Sequence, residues 1–165
     1  MTRSTSFLVL ALCFGLAAVP ACSPCNRTGC DATSGPVADT GQAAIAGVVA
    51  SESDAVGNGC QECPLGTATL AIWKTSGPVT DDAGAQAVVN ASAATVSVQA
   101  DQRYAQALDP GSYLVCQRPD CVSVDVVAAH VTTVHIKQIL GPTQFIVFDA
   151  QSKSPRATTT LEISP

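Results

Sequence analysis

Residues 122–137 read VSVDVVAAHVTTVHIK, and this stretch decides the fold. Val122, Val124 and Val126 alternate with other residues, so their side chains fall on one face of an extended chain. An α-helix would instead repeat its apolar residues every three or four positions. The pattern therefore predicts a β-strand over 122–127 with one buried face.

The second half of the stretch predicts another strand, over 131–139. Val134 and Ile136 are apolar and separated by one residue, so we expect both side chains to face the core. The side chains that alternate with them are expected to face solvent, and these are Thr133, His135 and Lys137. Strands of this kind favour two packed antiparallel sheets that bury their apolar faces against each other.

The same alternation extends along most of the chain. Five further segments have the composition of strands and are bounded by turn residues: 45–50, 68–73, 95–99, 112–117 and 143–149. In the second of these, Ala68, Leu70 and Ile72 share one face. Seven short strands within about 105 residues predict an all-β fold, a seven-stranded antiparallel β-sandwich.

Two segments carry a resemblance to a known family, 45–49 (IAGVV) and 101–113 (DQRYAQALDPGSY). The second is similar to an Asp-Gly-Arg-Phe sequence followed by Leu-Pro-Pro-Gly-x-Tyr, with Gln102 in place of the usual Gly and Asp109 in place of a Pro. The chain from 45 to 149 resembles the carboxypeptidase-regulatory-like, or prealbumin-like (transthyretin-like), β-sandwich domains. The resemblance implies a prealbumin-like fold used as an accessory module, with little chemistry of its own.

A turn is predicted at Pro110 and Gly111, because Pro fixes φ and Gly adopts positive φ readily. Tyr113 would then enter the next strand with its ring in the core. Its hydroxyl is expected to bond to nearby backbone, as in a tyrosine corner. The alternative is a buried aromatic without that bond.

The N-terminus predicts export. Residues 7–19 form an apolar run, FLVLALCFGLAAV. As a helix this run is roughly 20 Å long, short of the ~30 Å hydrocarbon core of a bilayer, so it indicates a signal peptide over 1–21 and not a membrane span. The sequence VPAC, ending at Cys22, resembles the bacterial lipobox and implies cleavage before Cys22 followed by its acylation. Ordinary secretory cleavage at the same place is the alternative.

Eight cysteines indicate an oxidising compartment. Cys13 leaves with the signal peptide, and acylation of Cys22 leaves an even number for disulfides. The cysteines expected in disulfides are Cys25, Cys30, Cys60, Cys63, Cys116 and Cys121. Local pairing is favoured on geometry, and crossed pairing between the two later clusters stays open. The alternative use of those two clusters, Cys60/Cys63 and Cys116/Cys121, is a four-thiolate zinc site or a thiol-redox pair.

The chain divides into a signal peptide (1–21), a flexible Cys-containing tether (22–42), the β-sandwich (43–150) and an extended C-terminal tail (151–165). The tether is rich in Gly, Ser, Thr, Pro and Asp and spans roughly 25 Å as a coil. Ser23 follows the acylated position. By resemblance to bacterial lipoprotein sorting, this residue implies a lipid-anchored protein of the cell envelope, at the outer membrane in preference to the inner. A secreted or periplasmic location is the alternative.

Charge and histidine content exclude several classes of function. The net charge is −5 and the basic residues are scattered, so no surface is predicted for nucleic acid. His130 and His135 lie on or beside one predicted strand, and no serine lies in a nucleophile-elbow sequence. We therefore expect no catalytic residues, no enzyme activity, no cofactor and no metal.

Trp73 is the only tryptophan and the candidate binding residue. Exposed on its strand, it would anchor a peptide, a glycan or an envelope protein. The alternative is that the Lys74–Asn90 connection, predicted as a long loop, covers it. The favoured function is a non-enzymatic envelope lipoprotein that contacts the membrane through its N-terminal lipid and carries a binding or structural sandwich. The other hypothesis is a redox or zinc-binding accessory protein.

Overall fold

The computed structural model describes residues 35–51, 66–138 and 142–164. The predicted signal peptide, Cys22, Cys25, Cys30, Cys60 and Cys63 lie outside these residues. The described chain forms ten strands and one helix: β1 (Ala44–Ser51), β2 (Thr67–Thr75), α1 (Asp82–Ala91), β3 (Val96–Asp101), β4 (Arg103–Ala107), β5 (Gly111–Gln117), β6 (Asp120–Val126), β7 (Val131–Gln138), β8 (Thr143–Phe148), β9 (Pro155–Arg156) and β10 (Leu161–Glu162).

The all-β prediction is confirmed, whereas the number of strands is not seven. The strands pair in the order β10-β6-β5-β2-β3-β4-β1-β7-β8-β9. Each predicted segment coincides with a strand, and the three additional strands are β4, β9 and β10. The last two contain only two residues each, which is too short for an alternating pattern to be visible in the sequence.

Two layers arise because the ribbon of strands turns sharply between β3 and β4. These strands pair only where Asp101 faces Arg103, and Gln102 between them has a φ of 59°. Strands β2, β3, β5, β6 and β10 form one layer, and β1, β4, β7, β8 and β9 form the other. All pairings between described strands are antiparallel except that of β1 with β7.

The core lies between the inner faces of the two layers and contains the apolar side chains that the alternation predicted. Leu70 and Ile72 from β2 are fully buried there, as are Val134 and Ile136 from β7. The hydroxyl of Tyr113 donates to the carbonyl oxygen of Asp109 at 2.8 Å, which confirms the tyrosine corner.

The predicted loop between Lys74 and Asn90 is wrong for its second half, which is α1. The carboxylate of Asp81 caps this helix by accepting a hydrogen bond from the backbone N–H of Gly84, at 2.7 Å. The apolar side chains of α1 then pack on the outer face of β2 and β5, away from the main core. One side of the sandwich therefore has a third layer.

The prediction that Thr133 and His135 face solvent is also wrong, because both are buried. The segment 35–43 lies over this face of β7. The backbone N–H of Val37 donates to Oγ1 of Thr133 at 2.8 Å, and Nε2 of His135 lies 2.8 Å from the carbonyl oxygen of Gly35. Alternation identified the face correctly, but it could not show that the chain itself covers it.

Residues within the predicted tether and the predicted tail contact the strands of the domain. Residues 35–42 are held on β7 by the bonds above, and Asp39 bonds to the backbone N–H of Val131 at 2.6 Å. After residue 150 the chain continues into β9 and β10, and Leu161 and Ile163 are buried beside α1. The folded unit therefore includes at least 35–51, 66–138 and 142–164.

Candidate functional site

Trp73 lies on the outer face of β2, opposite to Leu70 and Ile72, as the alternation predicts. It is only 3% exposed, because α1 covers it, and its indole N–H donates to the carbonyl oxygen of Ser92 at 3.0 Å. The alternative in which the Lys74–Asn90 connection covers Trp73 is therefore correct, although the covering element is a helix and not the expected loop. Trp73 does not provide an open aromatic face.

A pocket of about 650 Å³ opens next to Trp73, where α1 ends at Ala91 and no longer covers the sheet. Its floor is the outer face of β2, β3 and β5, and its wall is the end of α1 with the turn that follows. The lining residues are Thr69, Ala71, Trp73, Val89, Ser92, Ala93, Ala94, Ser97, Cys116, Gln117 and Arg118. The pocket has the volume of a site for a small ligand.

The lining of this pocket contains both apolar and polar side chains. Ala71, Val89 and Ala94 offer short apolar side chains beside the edge of Trp73. Gln117 also lines the pocket, and its side-chain oxygen is buried without a hydrogen-bond partner in the described part of the chain. A buried acceptor without a partner is costly, so Gln117 has a specific unsatisfied requirement for a donor.

Arg118 follows Gln117 at the pocket and is exposed. Its guanidinium makes no hydrogen bond or ion pair with any other residue that the structure describes. The peptide bond from Arg118 to Pro119 is cis, within the tight connection between β5 and β6. Arg118 is thus the available cation of the pocket. Sequence reasoning missed both Gln117 and Arg118, which carry no motif.

A disulfide joins Cys116 to Cys121 across the same connection, with 4.0 Å between the Cα atoms. This is the local pairing that the sequence favours. The two residues face each other in the register of β5 and β6, so the bridge closes the end of that hairpin. With both sulfurs bonded to each other, they are not available as thiolate ligands in this state. Among the described residues, no group of three or more His, Cys, Asp and Glu is placed to hold a metal.

The two histidines lie on the other layer, far from the pocket in the strand order, and both have structural partners. Nδ1 of His130 lies 3.1 Å from the carboxylate of Asp39, which also accepts a hydrogen bond from Nζ of Lys153 at 2.6 Å. Together with the N–H of Val131, Lys153 holds the pKa of Asp39 well below its usual range. These contacts fasten the segment 35–43 to the domain.

Comparison of the chain with protein-family models, curated proteins and solved structures finds no match. Within the described ranges, no helix is both long and apolar enough to cross a membrane.

Proposed function

We propose that this chain is a lipid-anchored protein of the bacterial cell envelope whose β-sandwich is a non-enzymatic binding or accessory module. The pocket beside Trp73 is the observation that carries the binding function. It joins an apolar wall to the side-chain oxygen of Gln117 and the guanidinium of Arg118, neither of which has a partner among the described residues. Such a combination suits recognition of a ligand with one apolar and one polar end.

We also propose that the sandwich is prealbumin-like. Support comes from the stretch 101–113, which carries the resemblance. Gln102 adopts a positive φ at the position where the family has Gly, and glycine is the residue that adopts this conformation most readily. Tyr113 makes the hydroxyl-to-backbone bond of a tyrosine corner. Two layers facing a common core agree with a sandwich of this kind.

Anchoring through Cys22 is supported by the cysteine count. Acylation of Cys22 leaves six cysteines in the mature chain, and two of these, Cys116 and Cys121, already pair with each other. Two acyl chains or more would bind the protein durably to a bilayer, since each buried methylene contributes about 0.8 kcal/mol. By resemblance to bacterial lipoprotein sorting, Ser23 favours the outer membrane over the inner.

Expression of the full gene in a Gram-negative host, followed by fractionation and intact-mass measurement, tests the anchor. We expect a mature chain that begins at Cys22, carries acyl groups and is recovered with the outer membrane. Cys22→Ala should abolish acylation and membrane recovery. Cys13→Ala should change neither, because residue 13 is removed with the signal peptide. An unprocessed chain in the cytosol, or membrane recovery of Cys22→Ala equal to wild type, would refute the proposal.

The hypothesis of a zinc or redox site needs all or part of the Cys60/Cys63 and Cys116/Cys121 clusters. The disulfide between Cys116 and Cys121 argues against a four-thiolate site, because their sulfurs are bonded to each other and are not available as thiolates. Zinc that co-purifies with the oxidised protein in one-to-one ratio would favour this hypothesis over the binding module.

A further inference from the structure

We infer that the pocket beside Trp73 binds the free C-terminus of a peptide whose last residue has a small apolar side chain. The inference rests on the proposed binding function and specifies its ligand. The carboxylate would pair with Arg118, the side chain would lie against the apolar wall, and a backbone N–H would donate to Gln117. Each part of this assignment follows from one feature of the pocket.

The guanidinium of Arg118 determines the charge expected of the ligand. Arg118 has no partner among the described residues, and its planar fork matches one carboxylate through two parallel hydrogen bonds. Among the residues that the structure describes, no second lysine or arginine lines the pocket. One guanidinium in a chain of net charge −5 suits one carboxylate, whereas a polyanion such as a nucleotide triphosphate would lack counter-charges.

The shape of the apolar wall determines which side chain the last residue of the ligand can have. Ala71 and Ala94 are short and leave the space open, and Val89 closes it on the helix side. A pocket of about 650 Å³ accommodates a segment of a few residues and excludes a folded partner from its interior.

Trp73 distinguishes a peptide from a glycan. Sugar rings bind proteins by stacking on an exposed aromatic face, and Trp73 is only 3% exposed with its N–H already donated to Ser92. Its edge can contact an apolar side chain but cannot offer a stacking platform. The amide of Gln117 supplies the complementary acceptor: reorientation of this amide toward the pocket would let its oxygen accept from a peptide N–H.

Fluorescence of Trp73 provides the test, because it is the only tryptophan in the chain. The full chain with Cys22→Ala, which avoids detergent, is titrated with acetyl-Ala-Ala-Val carrying a free carboxylate and with the same peptide as its C-terminal amide. We expect the carboxylate form to change the emission and to bind about tenfold or more tightly than the amide. Arg118→Gln should abolish this difference. Arg156→Gln, on β9 in the other layer, should leave it intact.

Ala94→Leu should weaken both peptides by filling the pocket, and circular dichroism of each variant checks that the fold is retained. Equal affinities for carboxylate and amide, no binding of either by fluorescence and equilibrium dialysis, or tighter binding of an oligosaccharide would each overturn the inference. Failure of the lipid anchor would appear separately in the mass of the wild-type chain and would leave these titrations unchanged.

Discussion

The backbone N–H of Val48 donates a hydrogen bond to Nδ1 of His135, at 3.1 Å, where the parallel pairing of β1 and β7 is interrupted. Ala46 pairs with Thr133, and the regular pairing resumes where Val49 faces Ile136. In the gap, a side chain replaces the missing backbone acceptor. Nδ1 can accept only if it is unprotonated, so the ring carries its hydrogen on Nε2 and donates it to Gly35.

Acidification should therefore destabilise the fold through His135. Burial lowers the pKa of this imidazole from 6.5, so the unfolded chain takes up a proton more readily than the folded one. The contribution of His135 to the free energy of unfolding should therefore be greatest above about pH 6.5. It should decrease as the pH falls toward the pKa of the folded state. Urea unfolding at about pH 7.5 and about pH 5 measures the effect.

Two variants separate His135 from the rest of the chain. His135→Phe should remove this pH dependence and cost about 1–3 kcal/mol at neutral pH, since the N–H of Val48 loses its acceptor. His130→Gln should retain the dependence, because His130 is solvent-accessible and outside the β1–β7 gap. A slope between these pH values that persists in His135→Phe would assign the effect to other groups.

Gly47→Ala should destabilise the protein by about 3 kcal/mol or prevent folding. A Cβ at this position would lie 2.0 Å from the carbonyl oxygen of Val134 and 3.1 Å from the ring of Tyr104. Gly77→Ala is the matched control, as a Cβ there has no neighbour within 4 Å. Chemical unfolding of the two variants compares them, and equal stabilities would contradict the close approach of β1 and β7.

Two tyrosine hydroxyls should differ in their contribution to stability. Tyr104 donates to the carbonyl oxygen of Val134 at 2.5 Å in the buried β1–β7 gap, so Tyr104→Phe leaves a buried acceptor unpaired and should cost about 1–3 kcal/mol. Tyr113→Phe affects a part-buried bond to Asp109, where water can replace the hydroxyl, and should cost about 1 kcal/mol or less. Urea unfolding gives both values, and the reverse order would disprove the assignment.

Loss of the Cys116–Cys121 disulfide should reduce the free energy of unfolding by about 2 kcal/mol. The loop that this disulfide closes is short, so the bond lowers the entropy of the unfolded chain only slightly. The double variant with Cys116→Ala and Cys121→Ala tests this by thermal or urea unfolding. A loss near 4 kcal/mol would instead indicate that these cysteines pair with the Cys60/Cys63 cluster.

Asp39→Asn should loosen the segment 35–43 without unfolding the domain. The substitution removes the charge that pairs with Lys153 and His130 and weakens the bond to the N–H of Val131. Amide hydrogen exchange should become faster at Val37 and Val131 and stay unchanged in β2 and β5. Asp101→Asn, on an exposed residue of the other layer, should alter neither region. Unchanged exchange at Val37 would show that Asp39 does not hold the segment.

The strands were predictable from the sequence because each has one buried face, and a period of two reveals that face directly. Leu70 and Ile72 illustrate this agreement. The errors at Thr133 and His135 have a different origin. Alternation places them on the outer face, but the residues that cover this face are distant in sequence, at Gly35 and Val37. Local periodicity contains no information about such contacts.

The helix and the pocket were missed for separate reasons. Helix α1 contains Ala85, Val88 and Val89 at helical spacing after the capping Asp81, a signal that could have identified it. The pocket has no such signal. Gln117 and Trp73 meet there only because β5 pairs beside β2, and this pairing is a property of the complete topology.

The position of β1 affects the order in which the protein can assemble. This strand is synthesised before every other strand that the structure describes, yet its neighbours are β4, which begins at Arg103, and β7, whose His135 is 87 residues beyond Val48. The backbone groups of β1 therefore cannot pair with β4 and β7 until most of the chain has been synthesised. Such non-local pairing slows folding, so β1 is expected to be enclosed late in the folding of the chain.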